Sequence, residues 1–393
     1  MRQEWRTVLL KDVLQPKGYI RGPFGSALKR GDMLDTGIPV YEQQHAIYGS
    51  RQFRFHISEN KYMEMKRFSI QPDDIIISCS GTVGKVSIIT KDDPIGIISQ
   101  ALLLLRVNVD IIDPLFLCYF FRSYEGYNAI VSRSSGSVQV NISKREVIEQ
   151  IPLRLPDIQT QRRIVSILNS LDQKIVCSAK INDNLLQQTA ALFAQYYEQA
   201  SEIVPFTSVI QVLGGGTPKT GNPLFWNGNV PFFTPKDVGT PYTLTTEKAI
   251  TEDGLAHCNS RLYPVNTVFV TARGTVGKVG MPGVPMAMNQ SCYALVGKGI
   301  DQLMVYFYTL RTVQALKHKA SGAVFDAITT RDFETETIRL IAEDAAIEFL
   351  SVATPMFSQI LGNSIENQRL TELRDALLPK LMTGEVNVSD IDI

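Results

Sequence analysis

The chain has 393 residues, 39 basic and 39 acidic side chains, and 44% hydrophobic content. This is an ordinary globular composition, long enough for two or three domains with real cores. Zero net charge argues against a nucleic-acid binder that neutralises phosphates unaided. The charge is uneven, at +4 over residues 1–155, zero over 156–200 and 201–345, and −4 over 346–393. The five cysteines, at 79, 118, 177, 258 and 292, lack metal-type pairing and read as reduced cytosolic thiols. Met1-Arg2-Gln3-Glu4-Trp5 does not read as a signal peptide, and apolar runs such as Ala101 to Leu105 are too short for a membrane span.

Residues 1–155 read as a mainly β unit with some helix. Ile75-Ile76-Ile77, Val86 to Ile89 and Ala101 to Val107 are strand-like and punctuated by Gly, Pro, Asn and Asp, whereas Pro114 to Phe121 reads as a buried helix. Pro156-Asp157 then opens a helix over 156–200, with no Gly and no further Pro as far as Glu198. Ile164, Leu168, Leu171, Ile175, Leu185, Thr189, Leu192 and Tyr196 follow coiled-coil spacing, interrupted by Ser178 and Asn182. Such a rod is about 64 Å long.

Residues 201–345 repeat the first unit. Gly81-Thr82-Val83-Gly84-Lys85-Val86 returns unchanged as Gly274-Thr275-Val276-Gly277-Lys278-Val279. Asp74 to Ser78 aligns with Thr267 to Thr271, Ile38 to Tyr41 with Val230 to Phe233, and Ile142 to Arg145 with Ile328 to Arg331. Asp301 to Leu310 is the counterpart of the first buried helix. Residues 346–393 hold a second rod, expected from Thr354-Pro355 to Pro379, with Phe357, Ile360, Leu361, Ile365, Leu370, Leu373 and Leu377 along one side. Ile181 to Asn184 aligns with Ile365 to Gln368, an offset of 184, so the rods belong to the repeat. Two copies are too few for a solenoid and suit a ligand with two similar sites.

Catalytic signatures are missing. The shared Gly-rich segment has two residues between its glycines and Val after its Lys, which is not a Walker A loop. Gly214-Gly215-Gly216 is followed by Lys219 where a dinucleotide fingerprint needs glycine. No Asn-Pro-Pro-aromatic methyltransferase motif, nuclease spacing or histidine metal pattern appears. The expectation is therefore recognition, with no catalytic and no metal residues.

The segments Ser80 to Val86 and Arg273 to Val279, the helix start Leu155 to Val165, Ser170 to Ile175, and the tail Leu373 to Glu385 together resemble the specificity subunit of type I restriction–modification enzymes. The resemblance covers essentially the whole chain. It implies an α+β fold of two similar mixed α/β target recognition domains joined by two long, antiparallel coiled-coil-like helices. Each domain would read one half of a split site in double-stranded DNA. The helices would set the spacer and dock two methyltransferase subunits, and nuclease–translocase subunits would complete a cytoplasmic complex. S-adenosylmethionine, ATP and Mg would belong to those partners and not to this chain. Gln161, Arg162, Arg163, Leu381 and Met382 are the docking candidates. The second helix start, Leu340 to Asp344, departs from the pattern, lacking the proline and the Gln-Arg-Arg run.

Residues identical in two units that read different half-sites cannot encode the difference. Lys85, Lys278, Thr82 and Thr275, with Lys144 and Arg331, are therefore candidates for phosphate contact, beside the plain reading of the shared segment as a turn. Discrimination is expected where matched loops differ, at Gln43, Gln44, Ser80, Arg133, Ser135, Gln139, Lys236 and Arg273, since such side chains contact base edges. A self-contained DNA-modifying enzyme with a recognition half and a coiled-coil protein adaptor are the alternative readings.

Overall fold

A computed structural model describes residues 5–24, 27–133, 141–319 and 326–388. The chain forms two compact units, Met1–Gln173 with Leu370–Ile393, and Lys174–Arg369. In the first, a four-stranded antiparallel sheet runs in the order Leu14–Arg21, Leu102–Val107, Ile75–Ser78, Val86–Ile88. In the second, Ile210–Gly214, Cys292–Gly297, Val268–Thr271 and Val279–Pro282 repeat that order, and Tyr242–Thr243 adds a parallel edge.

The continuous apolar strands follow from burial on both faces. Ile75 and Ile77 face one core with Leu103, Leu105 and the helix Pro114–Arg122, while Ile76, Leu102 and Leu104 face another with Tyr41. In the second unit Val268 and Val270 join Leu295 and the helix Gln302–Lys319, and Phe269 turns to Phe233 and Ala294. Each second core lies beside a three-stranded sheet, ordered His56–Ile57, Ile38–Tyr41, Ile97–Ile98 in one unit and Lys248–Ile250, Trp226–Phe233, Ala287–Met288 in the other.

A two-stranded ladder closes each unit and leads into a long helix. Arg6–Leu9 pairs with Pro152–Leu155, and Glu202–Pro205 pairs with Thr337–Leu340. The helices are Ile158–Gln199 and Glu343–Thr383. Asp157 opens the first, its Oδ1 accepting from the amides of Gln159 (2.9 Å) and Thr160 (3.0 Å). These bonds hold its carboxyl below the ordinary range. Asp157→Ala is expected to cost about 1 kcal/mol, read as a lowered denaturation midpoint. For the wild type, that contribution is present above the unfolded carboxyl value and fades as pH falls through the depressed folded one.

The second helix corrects its expected limits. It begins at Glu343, before Thr354-Pro355, and runs through Pro379 to Thr383. Both prolines are exposed, so the carbonyls they free face solvent. On the other side Phe349, Ala353, Phe357 and Ile360 enter the core of the second unit, and Leu378, Leu381 and Met382 that of the first. Length and composition alone would let this helix pass for a membrane span. The apolar residues just named are buried in these cores, whereas Ile347, Val352 and Leu373 on the same helix are exposed.

Within the second unit the two helices pair antiparallel through a polar layer. Asn182 Nδ2 donates to Ile360 O (3.2 Å), and Asn367 Nδ2 donates to Ile175 O (3.3 Å). Asn363 Nδ2 donates to Asn182 Oδ1 at 2.8 Å. The exchange is reciprocal, as in an isologous contact, and it relates 175 to 360 and 182 to 367. The helix repeat is therefore offset by 185 residues, as are the helix starts at Ile158 and Glu343. This replaces the 184 suggested by Ile181 to Asn184, because the spatial match is set by contacts and not by residue type.

Candidate nucleic-acid interface

The shared hexapeptide forms the same tight turn in both units. Gly84 N donates to Ser78 O (2.9 Å), Ser78 N to Lys85 O (2.9 Å), and Lys85 N to Ser78 Oγ (3.0 Å). Gly277 N donates to Thr271 O (2.8 Å), Thr271 N to Lys278 O (3.0 Å), and Lys278 N to Thr271 Oγ1 (2.9 Å). Its four glycines, 81, 84, 274 and 277, have φ between 69° and 84°, which L side chains rarely adopt.

Two more segments meet this turn. Ser80 bridges to Asn141 and Arg273 to Ala327, with Ile142 N donating to Cys79 O and Ile328 N to Ala272 O, both at 2.9 Å. On the other side Cys79 N donates to Ala101 O (2.9 Å) and Ala272 N to Ser291 O (2.7 Å). Three loops thus converge on one rim in each unit.

Among the phosphate candidates, Lys85 and Lys278 are exposed on the turn, and Lys85 Nζ lies 4.7 Å from the centroid of the Tyr127 ring. Thr82 is exposed, while Thr275 Oγ1 donates to Pro235 O at 3.1 Å. Lys144 caps the short helix Arg145–Ile148, and Arg331 is exposed on Thr330–Thr335. These cations follow directly on the bridged segments at 141 and 327, so each rim gathers at least two of them.

The base-reading candidates divide. Arg273 is exposed on the rim. Ser80 is half-buried, and its amide donates to Gln43 Oε1 (3.2 Å), so Gln43 is engaged in holding the loop. Gln44 Nε2 donates to Gln52 O (3.3 Å), and Arg133 Nη1 donates to Ala129 O (2.8 Å). Lys236 is exposed, with Glu247 at 3.7 Å. Ser135 and Gln139 lie outside the described residues. His45, beside Gln44, is fully buried: Glu42 N donates to its Nδ1 (2.7 Å), which leaves Nε2–H to donate to Gln52 O (3.0 Å).

Three docking candidates are structural. Gln161 is 1% exposed; its Oε1 accepts from Asp113 N (3.0 Å) and its Nε2 donates to Pro156 O (3.0 Å) and Ile111 O (3.3 Å). It staples the helix to the loop before Pro114. Leu381 and Met382 are core residues of the first unit. A side chain buried in its own unit has no surface to offer a partner. Arg162 and Arg163 are exposed on the first turns of the helix. In the neighbouring Ser170 to Ile175 motif, Asp172 accepts from Tyr119 Oη (2.8 Å) and Arg374 Nη1 (2.8 Å), beside a cleft of about 500 Å³ that also includes Lys85 and Tyr127.

The rim also carries residues that sequence reasoning missed. Ile98 to Leu102 and Met288 to Cys292 occupy equivalent places, yet they share only the glutamines Gln100 and Gln290. One identity in five gives no signal in the sequence; the hydrogen bonds do. Among the described residues no group of three or more His, Cys, Asp or Glu is placed to hold a metal. All five cysteines are free, and burial pushes the Cys79 and Cys292 thiols up to about 12.

Comparison with known proteins agrees with this duplicated architecture. The chain is 22% identical over 386 residues to the type I restriction enzyme HindI specificity subunit of Haemophilus influenzae, covering 77% of this chain and 84% of that protein. It is 21% identical over 364 residues to the putative type I restriction enzyme MjaX specificity subunit of Methanocaldococcus jannaschii, covering 85% and 83%. In fold it is similar to the crystal structure of a type I restriction–modification S subunit from M. genitalium, with a TM-score of 0.65, 12% identity, and coverage of 97% and 96%. The sequence profile of the type I restriction modification DNA specificity domain matches residues 3–187 and again 199–342, and the chain belongs to that family.

Proposed function

We propose that this chain is the non-catalytic recognition subunit of a cytoplasmic type I restriction–modification complex. Each unit reads one half of a bipartite duplex site, and the paired helices set the spacer and dock methyltransferase subunits, with nuclease–translocase subunits completing the assembly. Chemistry, with its S-adenosylmethionine, ATP and Mg, resides in those partners. The observation that supports this reading best is the duplicated rim, whose turn repeats the same three hydrogen bonds and carries a lysine at the same place in each unit. Arg162 and Arg163 remain the docking candidates.

Identical lysines in both units position a duplex and do not specify its sequence. In complex with methyltransferase subunits, Lys85→Ala is expected to weaken all sequences about equally and to lower the salt slope of binding by roughly one. Lys278→Ala should behave likewise. Binding titrations at several salt concentrations check this. An unchanged slope leaves the segment as a plain turn, and a changed recognition sequence contradicts the phosphate assignment.

A further inference from the structure

The turn that carries the missed glutamines is reproduced more fully than its sequence suggests. Leu102 N donates to Ser99 O (3.1 Å) and Cys292 N to Asn289 O (3.2 Å), which makes each a β-turn with glutamine at its second position. Ser99 N donates to Tyr41 O (2.8 Å) and Asn289 N to Phe233 O (3.0 Å). Gly22 N donates to Leu102 O (2.9 Å) and Gly215 N to Cys292 O (3.3 Å). Each turn is also backed by a glycine with no room for a side chain. A Cβ on Gly22 would stand 1.9 Å from Ser99 O, and one on Gly215 would stand 2.1 Å from Asn289 O.

Turn chemistry accounts for Ser99 and Asn289, since Ser and Asn suit the first position. Nothing in it asks for glutamine at the second, and Gln100 and Gln290 are both exposed. The backbone anchors fix where the Cβ of each glutamine stands, and a long side chain leaving a fixed corner can reach a base edge in the major groove. Glutamine is neutral, and its amide matches the N7 acceptor and N6 donor of adenine in the major groove. In the second unit Thr217 Oγ1 donates to Gln290 Oε1. That oxygen has a second lone pair for an adenine amino group.

We propose that Gln100 and Gln290 are equivalent base readers, each contacting an adenine at the corresponding position of its own half-site. The proposal rests on the DNA-recognition reading above and adds one base of shared specificity to two otherwise different half-sites.

The test is methylation or binding by the reconstituted complex on a panel of duplexes in which every half-site position is varied. Gln100→Glu replaces the amide donor by a second acceptor, which suits cytosine N4. The expected result is a loss of roughly tenfold or more on the original site, with preference at a single position of one half-site moving from A·T to C·G. The other half-site stays unchanged, which also reports that the variant folds. Gln290→Glu should give the mirror result. Equal loss on all sequences overturns the proposal in favour of a phosphate contact, and an unchanged profile overturns it in favour of a solvated corner. A wild-type complex without any sequence preference would instead overturn the recognition reading itself.

Discussion

Arg106→Met is expected to lower the stability of the first unit by about 3 kcal/mol or more at neutral pH. Arg106 sits on the central strand Leu102–Val107. Its Nε donates to Asp74 Oδ1 (2.8 Å) and its Nη2 to Asp74 Oδ2 (2.7 Å) and Ser69 O (3.2 Å). Asp74 is 1% exposed and also accepts from Gln71 N at 2.7 Å. Removing the guanidinium leaves a buried carboxylate without its counter-charge, which costs more than the pair contributes over an apolar substitute.

The pH dependence separates this cause from lost packing. Burial pushes the Asp74 carboxyl above its ordinary range, with Arg106 pulling against it. A carboxyl that titrates higher when folded binds more protons in the folded state between its two values, so stability falls as pH rises through that interval. Removing Arg106 extends the interval upward. The deficit of the variant is therefore larger at neutral pH and shrinks as pH falls toward the unfolded carboxyl value of about 4. Urea denaturation of wild type and variant at pH 7.5 and pH 5 reads this directly. An equal deficit at both values assigns the loss to packing, and Asp74→Leu in the Arg106→Met background should restore part of it at pH 7.5.

Exchanging the first unit for that of a relative is expected to replace one half-site of the recognition sequence and leave the other as it was. Each mismatched base pair costs about 1–3 kcal/mol, so a replaced half-site amounts to several orders of magnitude in preference. The ladder Arg6–Leu9 with Pro152–Leu155 decides where to cut. Exchange of residues 1–150 divides that ladder between two sources, whereas exchange of 1–155 keeps both strands together. Both chimeras must still seat Ile164, Val165 and Leu168 with Leu381 and Met382 in one core. The 1–155 chimera should be the more stable of the two. Methylation profiling of each complex checks the outcome; a change in both half-sites, or in neither, removes the two-reader arrangement.

Much of this molecule is legible in the chain itself. The hexapeptide at 81 and 274 specifies a turn because its glycines take the one region of φ that other residues avoid, and the observed angles lie there. Leu168 and Ile175 show the helix through their spacing, and Asp157 marks its start because a carboxylate can accept from amides that have no partner within the helix. Other features depend on neighbours distant in sequence. Pro355 and Pro379 read locally as helix boundaries, yet packing on the opposite face carries the helix through both. Gln161 reads as a surface residue, but the loop before Pro114 buries it and takes up its hydrogen bonds. The turns bearing Gln100 and Gln290 are equivalent through backbone bonds and a glycine pressed against each, not through their residues. Periodicity, capping and glycine conformations are properties of a local segment, so the sequence determined the repeat, the helices and the shared turn by itself. Burial and hydrogen-bond partnership belong to pairs brought together by the fold, so only the tertiary structure decided which polar residues stand on the rim and which hold it in place.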